Sequence, residues 1–170
     1  MKRAVRSRST WMALVVAAVV WPSCDQAPAS LETPTRFRDV DGGLLDAQTG
    51  LSWAPQDSGV ELDWGTARRY CQDLPARAAA PKWRLPTNAE LSTLYEPERQ
   101  QPCGDAICRV DPALSLSGPY HWSATLRGED RRVYVDFQHG SELAPLLRPS
   151  LKRHALCVRD SPESGADSEG

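Results

Sequence analysis

The sequence predicts a small domain of the α+β class that is closed by disulfide bonds. Three observations support this prediction. Short apolar runs separated by glycine-containing turns occur near both ends of the domain, which is typical of strands. Two stretches between them carry apolar residues at helical spacing. All five cysteines of the 170-residue chain follow a predicted secretory signal, which indicates disulfide bonds.

The chain divides into four predicted segments. Residues 1–23 form a signal peptide, because a basic head precedes an apolar run that is too short to span a bilayer. Residues 24–35 form a flexible tether, residues 36–160 the folded domain, and residues 161–170 a disordered acidic tail.

Cys24 directly follows the signal, as the lipid-bearing cysteine does in bacterial lipoproteins. We therefore expect a membrane anchor on Cys24 and a place in the cell envelope, facing the periplasm or the cell surface. Ordinary cleavage nearby, without a lipid, is the alternative. The four basic residues of the signal leave 16 basic and 22 acidic residues elsewhere. This acidic balance argues against nucleic acid as a partner.

Residues 36–53 predict two or three short strands. Asp41-Gly42 and Thr49-Gly50 supply the turns between them. Calcium binding by Asp39, Asp41 and Asp46 is the alternative, but the further acids and the distal glutamate of a calcium loop are absent. We expect turn chemistry and no metal.

Two helices follow. Asp63 is the expected N-cap of the first, which carries Trp64, Ala67 and Cys71 on one face and ends before Pro75. The second begins in the stretch Trp83-Arg84-Leu85-Pro86-Thr87, where Thr87 and Glu90 have the spacing of a capping box.

Residues 96–119 show little periodicity and predict a long loop, which we expect to be the main ligand-facing surface. A loop without a binding role is the alternative. Strands are predicted around residues 120–123, 132–137 and 154–159.

Four cysteines remain besides Cys24, and they permit three pairings. The favoured pairing joins Cys103 to Cys108 as a local clip and Cys71 to Cys157 as a bridge from the first helix to the last strand. A zinc site with Cys103, Cys108 and a histidine is the alternative. Export to an oxidising compartment favours disulfides.

Seven blocks of residues occur in the order seen in the Lcl C-terminal domain family, which is found in collagen-like bacterial adhesins and exported proteins. The blocks are Phe37 with Asp41-Gly42, Asp46 with Thr49-Gly50-Leu51 and Trp53, Trp64 with Ala67, Tyr70-Cys71 and Leu74, Trp83-Arg84-Leu85-Pro86-Thr87 with Glu90-Leu91, His121-Trp122-Ser123-Ala124-Thr125, Val135-Asp136-Phe137 with Gly140, and Cys157-Val158-Arg159. The chain resembles this family from about Arg36 to Arg159. The resemblance implies a C-type-lectin-like fold, with two helices packed on a small twisted antiparallel sheet and long loops.

The resemblance also implies a non-catalytic binding or adhesion domain, for anionic or other glycans, without a cofactor. The calcium-binding triplets of lectins are absent, since the chain has Glu96-Pro97-Glu98 and Gln101-Pro102-Cys103. An anionic ligand needs clustered cations. The candidate groups are Arg127, Arg131 and Arg132, and Arg148, Lys152, Arg153 and His154. A merely solvated surface is the alternative for each group.

Two enzyme hypotheses remain open. His121, Ser123 and Asp136 suggest a hydrolase, although no nucleophile elbow accompanies them. Chemistry like that of the formylglycine-generating enzymes requires Cys103 and Cys108 to stay reduced and bind copper. We expect no enzyme.

A structural or partner-docking role in the envelope is a further alternative, which exposed tryptophans would favour. Trp53, Trp64, Trp83 and Trp122 lie in apolar patterns and are expected in the core.

Overall fold

The computed structural model describes residues 35–76 and 80–161. The predictions for the signal peptide, Cys24, most of the tether and most of the tail fall outside the described residues. Within them the chain forms strands β1 (Phe37–Val40), β2 (Gly43–Asp46) and β3 (Leu51–Trp53), helices α1 (Trp64–Asp73) and α2 (Asn88–Ser92), and strands β4 (Gln101–Cys103), β5 (Ala106–Cys108), β6 (Tyr120–Leu126), β7 (Arg132–Asp136), β8 (Ser141–Leu143) and β9 (Val158–Asp160).

The described strands pair into three small antiparallel sheets. Their orders are β1-β2-β3-β9, β4-β5 and β6-β7-β8. The α+β class is therefore confirmed, and the expectation of a single sheet is corrected. The last part of the chain contacts two of the sheets. His154 forms an isolated bridge with His121 of β6, and β9 then pairs with β3.

The first sheet begins with the predicted hairpin. Asp41 and Gly42 both have positive φ, +50° and +77°. A two-residue hairpin turn of type I′ requires positive φ at both of its central residues. The register then places Phe37 opposite Asp46. The Asp46 carboxylate accepts hydrogen bonds from the Arg36 guanidinium at 2.8 Å and from Gln48 and Thr49, so it serves the turn.

Helix α1 begins at the predicted cap. Asp63 Oδ1 accepts the backbone N–H of Thr66 at 2.9 Å, and its Oδ2 accepts the Thr66 hydroxyl. Ala67 and Cys71 are fully buried, as the helical spacing predicted.

Helix α2 begins with the predicted capping box. Thr87 Oγ1 accepts the N–H of Glu90 at 3.2 Å, and the Glu90 carboxylate accepts the N–H of Thr87 at 2.7 Å. Arg84 donates two parallel hydrogen bonds to the same carboxylate, at 2.8 and 2.9 Å. Its backbone exchanges two hydrogen bonds with Val158 of β9. The stretch therefore ties the start of α2 to the first sheet.

Two clusters of buried apolar side chains form the core. One surrounds Trp53, Leu91 and Phe137, and the other surrounds Trp83 and Trp122. The structure contains both favoured disulfides. Cys71–Cys157 joins α1 to the residue before β9, and Cys103–Cys108 closes the β4–β5 hairpin. Both clusters and both disulfides lie within residues 35–161, so this part of the chain has its own core.

The segment of residues 96–119 differs from the expected open loop. It contains the β4–β5 hairpin, and Val110, Leu114 and Leu116 of its second half are buried in the core around Trp53. These apolar side chains are too sparse to show a period, yet each of them removes apolar surface from water. Much of the segment is therefore structural.

Candidate functional site

The strongest candidate for a binding surface follows β8. Residues 143–151, called here the 143–151 segment, run beside the tip of the β6–β7 hairpin. Leu147 donates its N–H to the carbonyl of Asp130 at 2.7 Å, and Leu146 forms an isolated bridge with Arg131. The Arg131 guanidinium also donates to the carbonyl of Ala144 at 2.9 Å. The segment is thus held in place while several of its side chains face solvent.

Two clefts adjoin this segment. The first, called the Trp64 cleft, has a volume of about 360 Å³, and the second, called the Arg131 cleft, about 380 Å³. The Trp64 cleft is lined by Asp63, Trp64, Gly65, Leu147, Arg148 and Pro149. The Arg131 cleft is lined by Arg131, Pro145, Leu146, Arg148, Ser150 and Leu151. Arg148 lines both.

The Arg148 side chain is exposed and uncommitted. Within the part of the chain that the structure describes, its guanidinium makes no hydrogen bond or ion pair. Two exposed leucines flank the clefts, with 42% of Leu146 and 39% of Leu147 accessible. A free guanidinium between apolar walls can bind an anionic group on a ligand whose neighbouring surface is partly apolar.

Trp64 lies at the edge of the core. Its indole packs against the core around Trp122, its Nε1 donates to the carbonyl of Ser123 at 2.8 Å, and the residue is only partly buried. The guanidinium carbons of Arg68 and Arg132 lie 5.0 and 4.6 Å from its ring centroid. The expectation that Trp64 belongs wholly to the core is therefore corrected, because the ring also forms a cleft wall.

The structure distributes the other predicted basic residues differently. Arg127 pairs with Glu142, and Arg132 is occupied by Trp64 and the carbonyl of Glu129. Arg153 stacks on the rings of Tyr120 and Tyr134, 4.9 and 4.5 Å from their centroids. Lys152 is exposed but lines neither cleft. Arg131 and Arg148 are thus the members of the two groups that share a cleft.

His154 does not belong to a basic surface, which corrects its grouping with Arg148. It is buried, its ring centroid lies 5.6 Å from that of His121, and its Nδ1 lies 3.8 Å from Asp57 Oδ2. Burial lowers the pKa of His154 below its usual value and so favours the neutral ring.

Asp57 organises this buried cluster. Its carboxylate accepts hydrogen bonds from His121 Nε2 at 3.0 Å and from the N–H groups of Ser117 and Gly59. Burial by itself would raise the pKa of Asp57, but these hydrogen bonds lower it well below its usual value. The sequence reading missed Asp57, because its partner His121 lies 64 residues away.

The residues of the hydrolase hypothesis have separate partners. His121 contacts Asp57, whereas the Ser123 hydroxyl donates to the carbonyl of Val133 at 3.1 Å. Asp136 accepts from Gln138 and contacts His139. Cys103 and Cys108 are joined to each other, so neither offers a thiolate to zinc or copper. Among the described residues, no cluster of three or more His, Cys, Asp or Glu side chains could hold a metal ion.

The family is decided by a comparison with family models. The model of the Lcl C-terminal domain matches residues 42–159. The chain belongs to the Lcl C-terminal domain family. The matched range contains α1, the Arg84–Glu90 stretch, both disulfides and the two clefts of this Lcl domain.

Comparisons with curated proteins and with solved structures found no match. The C-type-lectin-like arrangement therefore stays a prediction. Family membership and the two disulfides are compatible with an exported protein. Over the residues with described coordinates, every helix is too short or too polar to cross a bilayer.

Proposed function

We propose that the protein is an exported bacterial envelope lipoprotein, anchored through Cys24, whose Lcl domain is a non-catalytic binding or adhesion module for anionic glycans. The observation that carries the proposal is the Arg131 cleft. The guanidinium groups of Arg131 and Arg148 line it, and that of Arg148 has no protein partner among the described residues.

Charge and the chemistry of the cleft walls both support this proposal. Guanidinium groups bind carboxylate and sulfate in a bidentate geometry, which Lys cannot reproduce. The Leu146 and Leu151 walls of the Arg131 cleft can contact the apolar faces of sugar rings while the hydroxyl groups stay in water. The Arg131 cleft is lined by two guanidinium groups and by no acidic residue, so its charge suits an anionic polymer.

A heparin column tests this proposal. The domain of residues 35–170 should be retained at low salt and eluted by added salt, because screening weakens contacts between exposed charges. A variant carrying Arg131→Gln and Arg148→Gln should elute much earlier. The matched control removes the same charge at Lys82 and Arg99, which line neither cleft. Absence of retention at low salt, or equal losses in the two variants, would contradict the proposal.

The anchor is tested separately by mass spectrometry of the mature N-terminus. We expect a lipid-modified Cys24 as the first residue. An unmodified amino terminus beyond Cys24 would rule the anchor out and leave the binding proposal intact.

The non-catalytic part of the proposal is tested by thiol titration of the native domain with Ellman's reagent. We expect no free thiol, whereas copper chemistry like that of the formylglycine-generating enzymes requires reduced Cys103 and Cys108. Two reactive thiols per domain would reopen that hypothesis.

Docking of an envelope protein is a second candidate, because Leu143, Leu146 and Leu147 are all exposed along one short segment. A pull-down from envelope extracts separates the two. A partner that is lost with Leu146→Ser and Leu147→Ser but resists high salt would favour docking of a protein.

A further inference from the structure

We propose that a third cleft binds a small aliphatic carboxylate. This cleft, called here the Arg68 cleft, has a volume of about 220 Å³ and is lined by Arg68, Gln72, Arg84, Leu85 and Ala124. It shares no lining residue with the Trp64 cleft or the Arg131 cleft. Binding there is therefore independent of the glycan-binding function proposed above.

Arg68 supplies the charge of this cleft. Its guanidinium lies 5.0 Å from the centroid of the Trp64 ring and makes no hydrogen bond or ion pair within the described residues. The Trp64 ring is itself held by the hydrogen bond from its Nε1 to the carbonyl of Ser123, at 2.8 Å. A guanidinium that stacks on an aromatic face keeps the N–H donors at its edge, where they can bind a carboxylate in a bidentate geometry.

Gln72 adds a second polar group beside Arg68. It lies four residues later on α1, so the two side chains are neighbours on the helix surface. Gln72 is exposed, and its amide has no hydrogen-bond partner in the parts of the chain that the structure describes. The amide can therefore donate to an oxygen of a carboxylate that Arg68 binds.

Arg84 limits the ligand to a single negative charge. It lines the cleft, but both of its terminal nitrogens donate to the Glu90 carboxylate, at 2.8 and 2.9 Å. Asp160 Oδ1 lies 3.4 Å from the same guanidinium, and neither acid lines the cleft. The positive charge of Arg84 is thus already balanced, and that of Arg68 is the one available to a ligand. A dianion would leave one of its charges without a partner.

The size and the floor of the cleft indicate the rest of the ligand. Leu85 is only 3% exposed, and the N–H of Ala124 donates to the carbonyl of Pro86 at 2.7 Å, which holds β6 beside this stretch. The apolar side chains of Leu85 and Ala124 can cover a short hydrocarbon chain. The volume lies below the roughly 300 to 1,000 Å³ of pockets that bind drug-sized ligands. We therefore expect a monocarboxylate with a chain of a few carbons.

Three probes, titrated into the isotope-labelled domain of residues 35–170 and followed by NMR, separate the contributions of charge and chain. We expect pentanoate to shift the amide resonances of Arg68, Gln72 and Leu85 and to saturate in the millimolar range, which is usual for a ligand of so few atoms. Acetate lacks the apolar chain and n-pentanol lacks the charge. Each should bind at least about tenfold more weakly than pentanoate.

A matched pair of variants on α1 tests the role of Arg68. Arg68→Gln should weaken pentanoate binding about tenfold or more, because charge-assisted hydrogen bonds are lost. Arg69→Gln removes the same charge from the next residue, whose guanidinium donates to the Thr66 hydroxyl and lines none of the three clefts. It should weaken binding less than about twofold.

Gln72→Glu tests the same site with Arg68 still in place. The introduced carboxylate would pair with Arg68 and repel the ligand, so pentanoate binding should be lost. Both positions are exposed on α1, and the spectra of each variant report its folding in the same sample.

Three results would overturn the proposed carboxylate site. Pentanoate could leave the resonances of the cleft residues unchanged, or n-pentanol could bind as tightly as pentanoate, which would show an apolar contact without recognition of charge. Equal losses in Arg68→Gln and Arg69→Gln would show a diffuse electrostatic effect. None of these results bears on heparin retention, which depends on the Arg131 cleft, so the carboxylate site and the proposed function can fail separately.

Discussion

Glu90 illustrates how one side chain joins local and long-range structure. Its carboxylate caps α2 at Thr87 and accepts both hydrogen bonds from Arg84. The hydrogen bonds from Arg84 lower the pKa of Glu90, which keeps the carboxylate ionised at neutral pH. The spacing of Thr87 and Glu90 predicted the cap, because a capping box is defined within one turn. The contact of Arg84 with Glu90 could be recognised only in the three-dimensional structure.

Glu90→Ala is therefore expected to lower the free energy of unfolding by about 1 to 2 kcal/mol, the usual size of a lost cap together with a partly exposed ion pair. Urea titration measures this. Glu98→Gln, an exposed side chain nearby in sequence, is the control and should change stability by less than about 0.5 kcal/mol. Equal effects in the two variants would contradict the proposed role of Glu90.

Stability should also fall in mild acid because of His154. Burial lowers its pKa, so below about pH 6.5 the unfolded chain binds more protons than the folded one at this residue. The free energy of unfolding should thus decrease as the pH falls from about 7 to about 5. Asp57, whose pKa is also lowered, adds a further loss only below its ordinary value of 3.8.

Thermal unfolding at a series of pH values measures this dependence. His154→Gln should flatten the slope between about pH 7 and 5, whereas His139→Gln, at an exposed histidine, should keep it. A slope that is unchanged in His154→Gln would show that another group is responsible. No local pattern could have predicted the cluster, since Asp57, His121 and His154 come from three distant segments.

At the scale of elements, the β4–β5 hairpin was not predicted from the sequence. Gly104 lies in its turn with φ +59°, between two cysteines that close the hairpin. The strands are three residues long and contain Pro102, so no alternation of apolar and polar residues was visible. Helix α1 could be predicted because Asp63 marks its start and its buried residues recur at helical spacing.

Gly104→Ala should be more damaging than the same change elsewhere. An added methyl group would lie 2.5 Å from the carbonyl oxygen of Ser117, a backbone atom that cannot rotate away. We expect a loss of about 3 kcal/mol, from backbone strain and the clash together. Gly128→Ala is the control, because φ is also positive there but the space is open, and it should cost about 1 kcal/mol. Equal losses, measured by chemical denaturation, would contradict the packing argument.

At the scale of the whole molecule, the two disulfides differ in what they constrain. Cys71–Cys157 spans 86 residues and Cys103–Cys108 only 5. In the chain-entropy model, removal of the long bridge by paired Ser substitutions should cost roughly 4 to 5 kcal/mol, and removal of the short one roughly 2 kcal/mol. Chemical denaturation of the two double variants measures this. Greater destabilisation by loss of the short clip would show that native packing, not chain entropy, dominates.

The global arrangement was only partly predictable. The α+β class followed from the order of strands and helices, and export favoured disulfides. The division into three sheets did not follow, because pairing depends on contacts such as those of Arg84 with Val158 and of β3 with β9, which join residues far apart in sequence. The cleft shared by Arg131 and Arg148 could not be predicted either, because the contact between the 143–151 segment and the β6–β7 turn follows from no regular sequence pattern.

The strand order β1-β2-β3-β9 has a practical consequence for protein engineering. Because neighbouring strands alternate in direction, Phe37 at the start of β1 and Asp160 at the end of β9 lie at the same end of that sheet. Three strand spacings separate them, about 14 Å. A short Gly/Ser linker could bridge that gap, so a circularly permuted gene with new termini in the Gly128 turn should still encode a foldable protein.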